Sequence, residues 1–444
     1  MRYFAIVAVA FIGGAWFTGS ATAQADGSSP YNLVEQIARV LVLVENEYVD
    51  PVDRSRLLEG AIKGMVAELD PHSSYLSAEA FDTFRSDTDG QFGGVGLEVD
   101  FGNDEVTVIA AIEGSPAHRA GIGPGDKVVA IDRRRIRGKP ANELVRMMRG
   151  APGSVVQVSI RRRGADELLV FELQREFIEV SSIYSTKLAD SLGYVRVKQF
   201  QRGTHRELLS ALAKLRNDNA GSLRGLILDM RNNPGGLVKE AIAIADEFLN
   251  SGVIYSTRRR EQTVDIVTSS RGGSLSHEPL VVLVNEFSAS AAELVTGALQ
   301  DNKRATVVGA PTFGKGSVQS IVDLANNAGL RLTILRYYTP AGRAIQAQGI
   351  RPDVLVEAAY AEDRSFRVLR ERDLENHLPA EEQTADDNRR VIKPPSKLQE
   401  ETGISPTHLG VARVVPEDPT GGPDFALSIG FQILRDVLAQ SEKR

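Results

Sequence analysis

The chain has 444 residues, 42% of them hydrophobic and 25% charged, with a net charge of −6 and no cysteine. The length suggests about three globular domains, and the acidic balance leaves no electrostatic footprint for nucleic acid. The missing cysteines exclude thiol catalysis, disulfides and cysteine zinc sites, and are compatible with an oxidising envelope compartment.

Residues 1–23 read as a targeting segment: Arg2 is basic, Phe4–Phe17 is apolar, and Ala21-Thr22-Ala23 is a small-residue cleavage pattern. The apolar run falls short of the ~20 residues that span a bilayer. Cleaved or retained as an anchor, it predicts export to the periplasm or cell envelope. Residues 24–91 read as an N-terminal helical segment. Leu33, Ile37, Val40, Leu41 and Val44 recur on one helical face; Leu58, Ile62, Met65 and Val66 recur on another, with Pro51 between them. Leu69–Leu76 is a turn. His72 stands on it beside Pro71, so a structural hydrogen bond is expected of it rather than catalysis.

Residues 92–176 alternate between strand and turn signals. Val106–Ala110, Lys127–Ile131, Ser154–Arg161 and Leu168–Leu173 read as strands, and Pro116–Ala120 and Pro140–Arg149 as helices. A glycine-rich stretch, Gly93-Gly94-Val95-Gly96-Leu97, precedes a further strand. Read alone, it is only a tight turn. With the whole order of elements, including Ser115-Pro116-Ala117 and Gly125-Asp126-Lys127-Val128, the region resembles a PDZ domain. That resemblance implies that backbone N–H groups around Gly94, Val95, Gly96 and Leu97 capture a terminal carboxylate while an extended peptide adds to the strand edge. Leu144, Val145 and Met148 are expected to line the groove.

Residues 177–360 read as a strand–helix core. Gly193–Val197 is a strand, Thr204–Arg216 an amphipathic helix, and Leu223–Asp229 a buried strand. The last ends in Asn233-Pro234-Gly235-Gly236 before a helix from Leu237 to Leu249. Leu280–Val284 is an apolar, β-branched run that reads as a buried strand. It breaks into Ser288-Ala289-Ser290-Ala291-Ala292, and helical spacing follows in Leu294, Val295, Ala298 and Leu299. A hydroxyl on that turn faces a helix N-terminus, where free N–H groups favour developing negative charge. A capping box of Ser290 with Glu293 explains the same turn without catalysis. Downstream, Thr306–Gly309 is a strand, and Ser317–Val322 alternates like one. Between them Lys315 stands between two glycines, which strip its cover and let backbone approach. A lysine base has to be desolvated, because its pKa must fall from ~10.4 toward ~7–8. Leu330–Arg336 and Gln348–Val356 read as closing strands.

Together these motifs resemble the C-terminal processing peptidases, or tail-specific proteases, from about Leu33 to Val356. SASAAELVTGALQD carries the resemblance to the nucleophile motif, and TFGKGSVQ to the base motif. The resemblance implies Ser290 as nucleophile, Lys315 as general base 25 positions on, and Gln319 as the group supporting the lysine. It also implies an oxyanion hole from N–H groups of Gly235, Gly236 and Ala291. Asp301 ends the nucleophile helix, about 16 Å along it, and is expected to be structural. Ala292, Phe287 and Thr296 depart from common family residues, and Phe287 could reshape the pocket wall.

Two other chemistries are set aside. Gly309–Gly316 nearly matches a phosphate loop but has Gly316 in place of the metal-ligating hydroxyl and precedes a strand. The six histidines are scattered and no HExxH occurs, so neither metal nor cofactor is expected. In residues 361–444, Glu362–Pro423 is polar and proline-broken and reads as a partly disordered linker. Phe425, Ile429, Ile433 and Val437 then mark a C-terminal docking helix.

The expected fold is α/β: a helical segment, a PDZ domain, a strand–helix serine protease core of the ClpP/crotonase type, and a C-terminal helix. The expected function is a serine endopeptidase of the envelope that cleaves near protein C-termini with a Ser–Lys dyad. Its expected partners are protein substrates with extended apolar C-termini, an envelope adaptor and further copies of itself. The rival reading is a catalytically inactive PDZ-bearing scaffold.

Overall fold

The computed structural model describes residues 30–102, 105–260, 262–270, 272–356, 368–380, 390–392 and 424–441. The expected targeting segment lies outside them. Among the described residues no helix is long and apolar enough to cross a membrane. The described residues divide into two compact units, the first ending at Gly64 and the second starting at Met65.

The first unit holds α1 (Pro30–Glu47) and most of α2 (Arg54–Ala67), broken where Pro51 was expected to separate two helices. Arg54 grips Glu45 with two hydrogen bonds across the break. Much of the apolar surface of α1 stays exposed, at Val34, Ile37, Val40 and Leu43.

The second unit opens with β1 (Ser74–Leu76) and α3 (Ala78–Asp89). The domain expected to resemble a PDZ domain follows. Its β2 (Gln91–Gly94) ends at the glycine-rich loop, and β3 (Leu97–Gly102) leaves it. Then come β4 (Glu105–Ala111), α4 (Pro116–Arg119), β5 (Lys127–Ile131), β6 (Arg134–Arg135) and α5 (Ala141–Met148). The last strands are β7 (Val155–Arg161), β8 (Leu169–Gln174) and β9 (Glu176–Glu179). The sheet order is β3-β4-β5-β7-β8, so β3 is an edge strand, and β2 pairs separately with β9. Leu144 and Met148 were expected to line a groove. Instead they are buried in the domain core with Val95, Ile131 and Ile136, which leaves Val145 half-buried beside them. The link to the strand–helix core is short. Phe177 belongs to β9, paired with Gly93, and only Val180–Ser182 separate β9 from the next strand.

That strand is β10 (Ile183–Lys187). It is followed by β11 (Leu192–Val197), α6 (Thr204–Asp218), β12 (Gly225–Asp229), α7 (Val238–Phe248), β13 (Val253–Arg259) and β14 (Gln262–Thr268). The chain continues through β15 (Leu280–Val284), α8 (Ala291–Asp301), β16 (Thr306–Gly309), β17 (Ser317–Asp323), β18 (Gly329–Tyr338) and β19 (Val354–Val356). It closes with β20 (Arg390–Ile392) and α9 (Phe425–Ser441). The main sheet runs β10-β11-β12-β15-β16-β19-β20 and is parallel from β11 onward. A second, antiparallel sheet is built on β18, with β1, β13, β14 and β17.

Side chains alternate across a strand, and here both faces are covered. Leu226, Leu228, Val282 and Val284 face α6, α7 and α8. Ile227, Val281 and Leu283 face the other way, onto Leu427, Phe431, Leu434 and Leu438 of α9. The start of α9 is fixed by charge: Arg231, just beyond β12, pairs with Asp229 at 2.6 Å and Asp424 at 2.7 Å.

Two expectations in the C-terminal third need correction. Gln348–Val356 was read as a strand, but only Val354–Val356 forms one, because the preceding residues turn to pack Gln346 and Ile350 inward. The polar stretch read as a linker contains ordered structure. Glu371 sits in a short helical turn and is fully buried, its carboxylate meeting Gln346 Nε2 and His72 Nε2, each at 2.7 Å. His72 therefore has the structural bond expected of it.

Candidate active site

The site forms where two neighbouring parallel strands end. In a doubly covered parallel sheet, the loops beyond the carboxyl ends of the strands make the natural crevice. The turns after β12 and β15 are laced together there. Ser288 Oγ donates to Met230 O at 2.8 Å, Ala289 N to Asn233 O at 2.9 Å, and Asn232 N to Asn285 Oδ1 at 2.9 Å.

Ser290 stands at the junction with α8, with φ 55° and ψ −115°. A serine in that sparsely populated region stores roughly 1–3 kcal/mol of strain, and a sharp strand-to-helix turn of this kind lifts a hydroxyl clear of the sheet. The residue is partly exposed, while Ala291 behind it is fully buried.

Gly235 lies against this turn. A Cβ there would come within 2.8 Å of Ser290 Cβ and 3.1 Å of Ala291 N. It would fill the space in front of the Ala291 N–H, so a residue without a side chain keeps that space open. A Cβ on Gly236, at φ 130°, would meet Phe200 O at 2.1 Å. Of the three expected oxyanion donors, Gly236 N–H and Ala291 N–H have no hydrogen-bond acceptor among the described residues. The Gly235 N–H is engaged with Asn233 Oδ1 at 2.9 Å, so Gly235 contributes space rather than a donor.

Glu293 joins the two halves of the site. It is fully buried on the first turn of α8. Its Oε2 accepts Ser290 N at 2.7 Å and Lys315 N at 2.8 Å; its Oε1 accepts Gly314 N at 2.7 Å and the Thr312 hydroxyl. The expected return bond from Glu293 to the Ser290 N–H is present, and the same oxygen also anchors the lysine loop. The Ser290 and Lys315 backbones are thus held within two hydrogen-bond lengths of each other. Burial pushes the Glu293 carboxyl up to about 7, against the pull of its four hydrogen bonds. Sequence spacing exposed the capping bond. The partners 19 to 22 residues downstream have no local signal.

The Lys315 side chain is driven below the ordinary lysine range, first by burial and then by the Arg331 cation. Glu371, Glu293 and Asp70 oppose that shift. Arg331 donates to His72 O at 2.8 Å. Burial raises Asp70, but hydrogen bonds from the Ser73 hydroxyl, the His72 and Ser73 N–H groups and Thr333 outweigh it, so its carboxyl lies below the usual range. Gln319 was expected to support Lys315. Its amide nitrogen instead donates to Ser317 Oγ at 2.9 Å and Thr333 Oγ1 at 3.2 Å, and among the described residues it has no bond to the lysine. Asp301 lies away from the site and ties the end of α8 to Ala341 N and Arg343.

In the PDZ domain, Gly96 has φ 76°, and a Cβ there would meet Ser115 Cβ at 2.2 Å. Val95 O and Gly96 O accept Ala117 N and Ile112 N, both at 2.9 Å. The Gly96–Ile112 bond sets the phase of the ladder, so the N–H of Leu97 faces the open edge of β3. Gly94 ends β2 opposite Glu176, and the Val95 side chain is buried.

Among the described residues no group of acidic and histidine side chains could hold a metal ion. The groups present suit acyl transfer: a hydroxyl on a strained turn, a desolvated amine on the loop that shares Glu293 with that turn, and N–H groups of Ala291 and Gly236 without an acceptor among the described residues.

Residues 191–356 match peptidase family S41, residues 107–162 a PDZ domain, and residues 16–80 the activating protease CtpB N-terminal domain. The chain is 37% identical over 441 residues to the carboxy-terminal-processing protease of Bartonella bacilliformis, covering 97% of this chain and 96% of that one. It is 36% identical over 332 residues to a probable CtpA-like serine protease of Staphylococcus aureus, covering 74% of this chain and 65% of that one. Among solved structures, the photosystem II D1 C-terminal processing protease aligns at 31% identity over 74% of this chain and 87% of its own, with a TM-score of 0.47. With an S41 core, a PDZ domain and an end-to-end relative at this identity, the chain belongs to the C-terminal processing serine peptidases of family S41.

Proposed function

We propose that this serine peptidase cleaves exported proteins near their C-termini, using Ser290 and Lys315 as a dyad. The observation that carries the reading is the Glu293 carboxylate, which holds the backbones of both residues through one oxygen. Neutral Lys315 takes the Ser290 proton as Oγ attacks the scissile carbonyl, then passes it to the leaving amine. Water releases the acyl group by the same route in reverse. Gly236 N–H and Ala291 N–H hold the oxyanion. Gln319 belongs to the support of the site through Thr333 and Asp70 rather than through direct contact with the lysine.

The free edge of β3 and the loop 94–97 receive the substrate's terminal carboxylate. The short link Val180–Ser182 keeps that capture in the same body as the dyad. Its Ser182 N–H is fastened to Glu207 at 2.9 Å. Residues 1–23 direct export, so the site of action is the periplasm or envelope. Self-association is part of the reading, since the exposed Val34, Ile37, Val40 and Leu43 of α1 call for cover. No surface among the described residues singles out an adaptor.

The test is hydrolysis of an unfolded protein with an apolar free C-terminus by wild type, Ser290→Ala and Lys315→Ala. Both variants should stay folded and lose turnover by at least a thousandfold. Near-normal rates in Lys315→Ala refute the dyad. A folded wild type that cuts nothing but binds tails is the scaffold instead.

A further inference from the structure

Both glycines around Lys315 have one neighbour in common. A Cβ on Gly314 would come within 3.2 Å of backbone atoms of Ala347, Gln348 and Gly349, and one on Gly316 would meet Gln346 N at 2.3 Å. The lysine loop therefore lies against the backbone of residues 346–349, and Ala347 N donates to Gly314 O at 2.8 Å. Three successive N–H groups of the loop then end on buried side chains. Gly314 N and Lys315 N go to Glu293, and Gly316 N goes to Gln346 Oε1 at 3.0 Å.

An amide can present either its oxygen or its NH2 to a neighbour, and here the choice is fixed from behind. Gln346 Nε2 donates to Glu371 Oε1 at 2.7 Å and to Leu378 O at 3.3 Å. Turned over, the amide would set its oxygen against two acceptors and its NH2 against the Gly316 N–H. Glu371 thus makes Gln346 an acceptor toward the lysine loop. Glu371 also touches that loop directly, since its own N–H donates to Phe313 O at 3.2 Å. Beside it, Arg370 donates to Thr312 O and Gln348 O. The second carboxylate oxygen of Glu371 meets His72 Nε2 at 2.7 Å. All of this comes from the polar stretch beyond β19, far along the chain from the motif that it holds.

We infer that Glu371 is a positioning residue for Lys315, acting through Gln346 on the backbone that carries the lysine. The inference rests on Lys315 being the base. Charge gives the role a readout of its own. The cation near the Lys315 amine is Arg331 on β18, which together with burial holds its pKa down; Glu371, then Glu293 on α8 and Asp70 before β1, oppose that shift. His72 stands behind Glu371, on its far oxygen.

The experiment measures kcat and KM of the full chain against pH, on an unfolded protein substrate. Glu371→Gln keeps the shape and removes the charge, so the rising limb of kcat/KM should move to lower pH, opposite to the effect of removing the Arg331 cation. Gln346→Leu keeps the charge and removes the acceptor of Gly316 N, so kcat should fall by about ten- to a hundredfold, the scale of a misplaced catalytic group, with KM unchanged. The two variants are read independently, so one that fails to fold leaves the other decisive. A limb that stays in place in folded Glu371→Gln overturns the inference. So does a folded Gln346→Leu with wild-type kcat, or one whose only change is a lower unfolding midpoint, which assigns the pair to stability alone. If Lys315→Ala is inactive in the same assay, either of those results discards the role of Glu371 and leaves the dyad standing. Near-normal turnover in Lys315→Ala discards the dyad, and the inference with it.

Discussion

Replacing Glu293 by glutamine tests whether one carboxylate assembles the site. The glutamine matches the carboxylate in size but turns one acceptor oxygen into a donor. If its NH2 faces Ser290 N and Lys315 N, two buried N–H groups lose their acceptor. If it faces Thr312 and Gly314, the hydroxyl can rotate to accept, but the Gly314 N–H is still orphaned. Each buried orphan costs about 1–3 kcal/mol, so Glu293→Gln should lower unfolding free energy by at least that much. Lost registry between Ser290 and the lysine loop should lower kcat/KM by about tenfold or more, since roughly 1.4 kcal/mol of misplacement is already tenfold. The pH dependence adds a second reading. Folding raises the Glu293 pKa from the ordinary 4.5 to about 7. Its contribution to stability is therefore full below about pH 4.5 and lost as pH climbs through about 7, by on the order of 3 kcal/mol. Glutamine lacks this titration. Urea unfolding at intervals from pH 5 to 8 should show the advantage of wild type over Glu293→Gln shrinking as pH rises. Parallel curves, or a variant with unchanged stability and near-normal kcat/KM, refute the reasoning.

Further outcomes follow from the same geometry. Because burial and then Arg331 hold Lys315 below its ordinary value, kcat/KM should climb with pH through the lowered lysine pKa; Arg331→Gln should move that limb to higher pH, and an unmoved limb shows that Arg331 does not tune the lysine. Gly235→Ala should reduce kcat by about a hundredfold, the scale of a lost oxyanion donor, by crowding Ala291 N; circular dichroism checks that the fold survives φ 102° with a side chain, and a folded variant with normal kcat removes that donor from the mechanism. Amidating the C-terminus of a peptide substrate should lower kcat/KM about tenfold or more, since a charge-assisted hydrogen bond contributes about 1.5–3 kcal/mol; equal rates for acid and amide exclude carboxylate recognition.

The sequence was most legible where one local rule dominated. Leu280–Val284 is a strand at the expected bounds because five apolar residues in a row suit a strand buried on both faces. The turn of small residues and the glycine-flanked lysine marked two loops that the structure ties together through Glu293. The partnership of Glu293 with Thr312, Gly314 and Lys315 did not show, because it is made 19 to 22 residues away, across the rest of α8 and β16. The hairpin β13–β14 escaped because most of β14 is exposed, so no apolar alternation marks it. Periodicity marked the apolar face of α5 but could not tell a groove from a core, and Leu144 and Met148 turned out to face the core. Polarity made residues 362–423 look like a linker. Composition cannot reveal that one glutamate among them is buried against Gln346 and His72.

The helix α9 imposes an order on manufacture. The sheet face that it covers, with Ile227, Val281 and Leu283, is made early, while Leu438 emerges roughly 150 residues after Ser290, a lag of about 10–30 s at ordinary synthesis rates. Throughout that interval the strands beside the Ser290 turn have one bare apolar face, and Arg231 lacks Asp424. Ser290 is therefore present long before its supporting sheet is complete. Until that final helix closes over the sheet, the strands behind the Ser290 turn lack one of their two apolar covers.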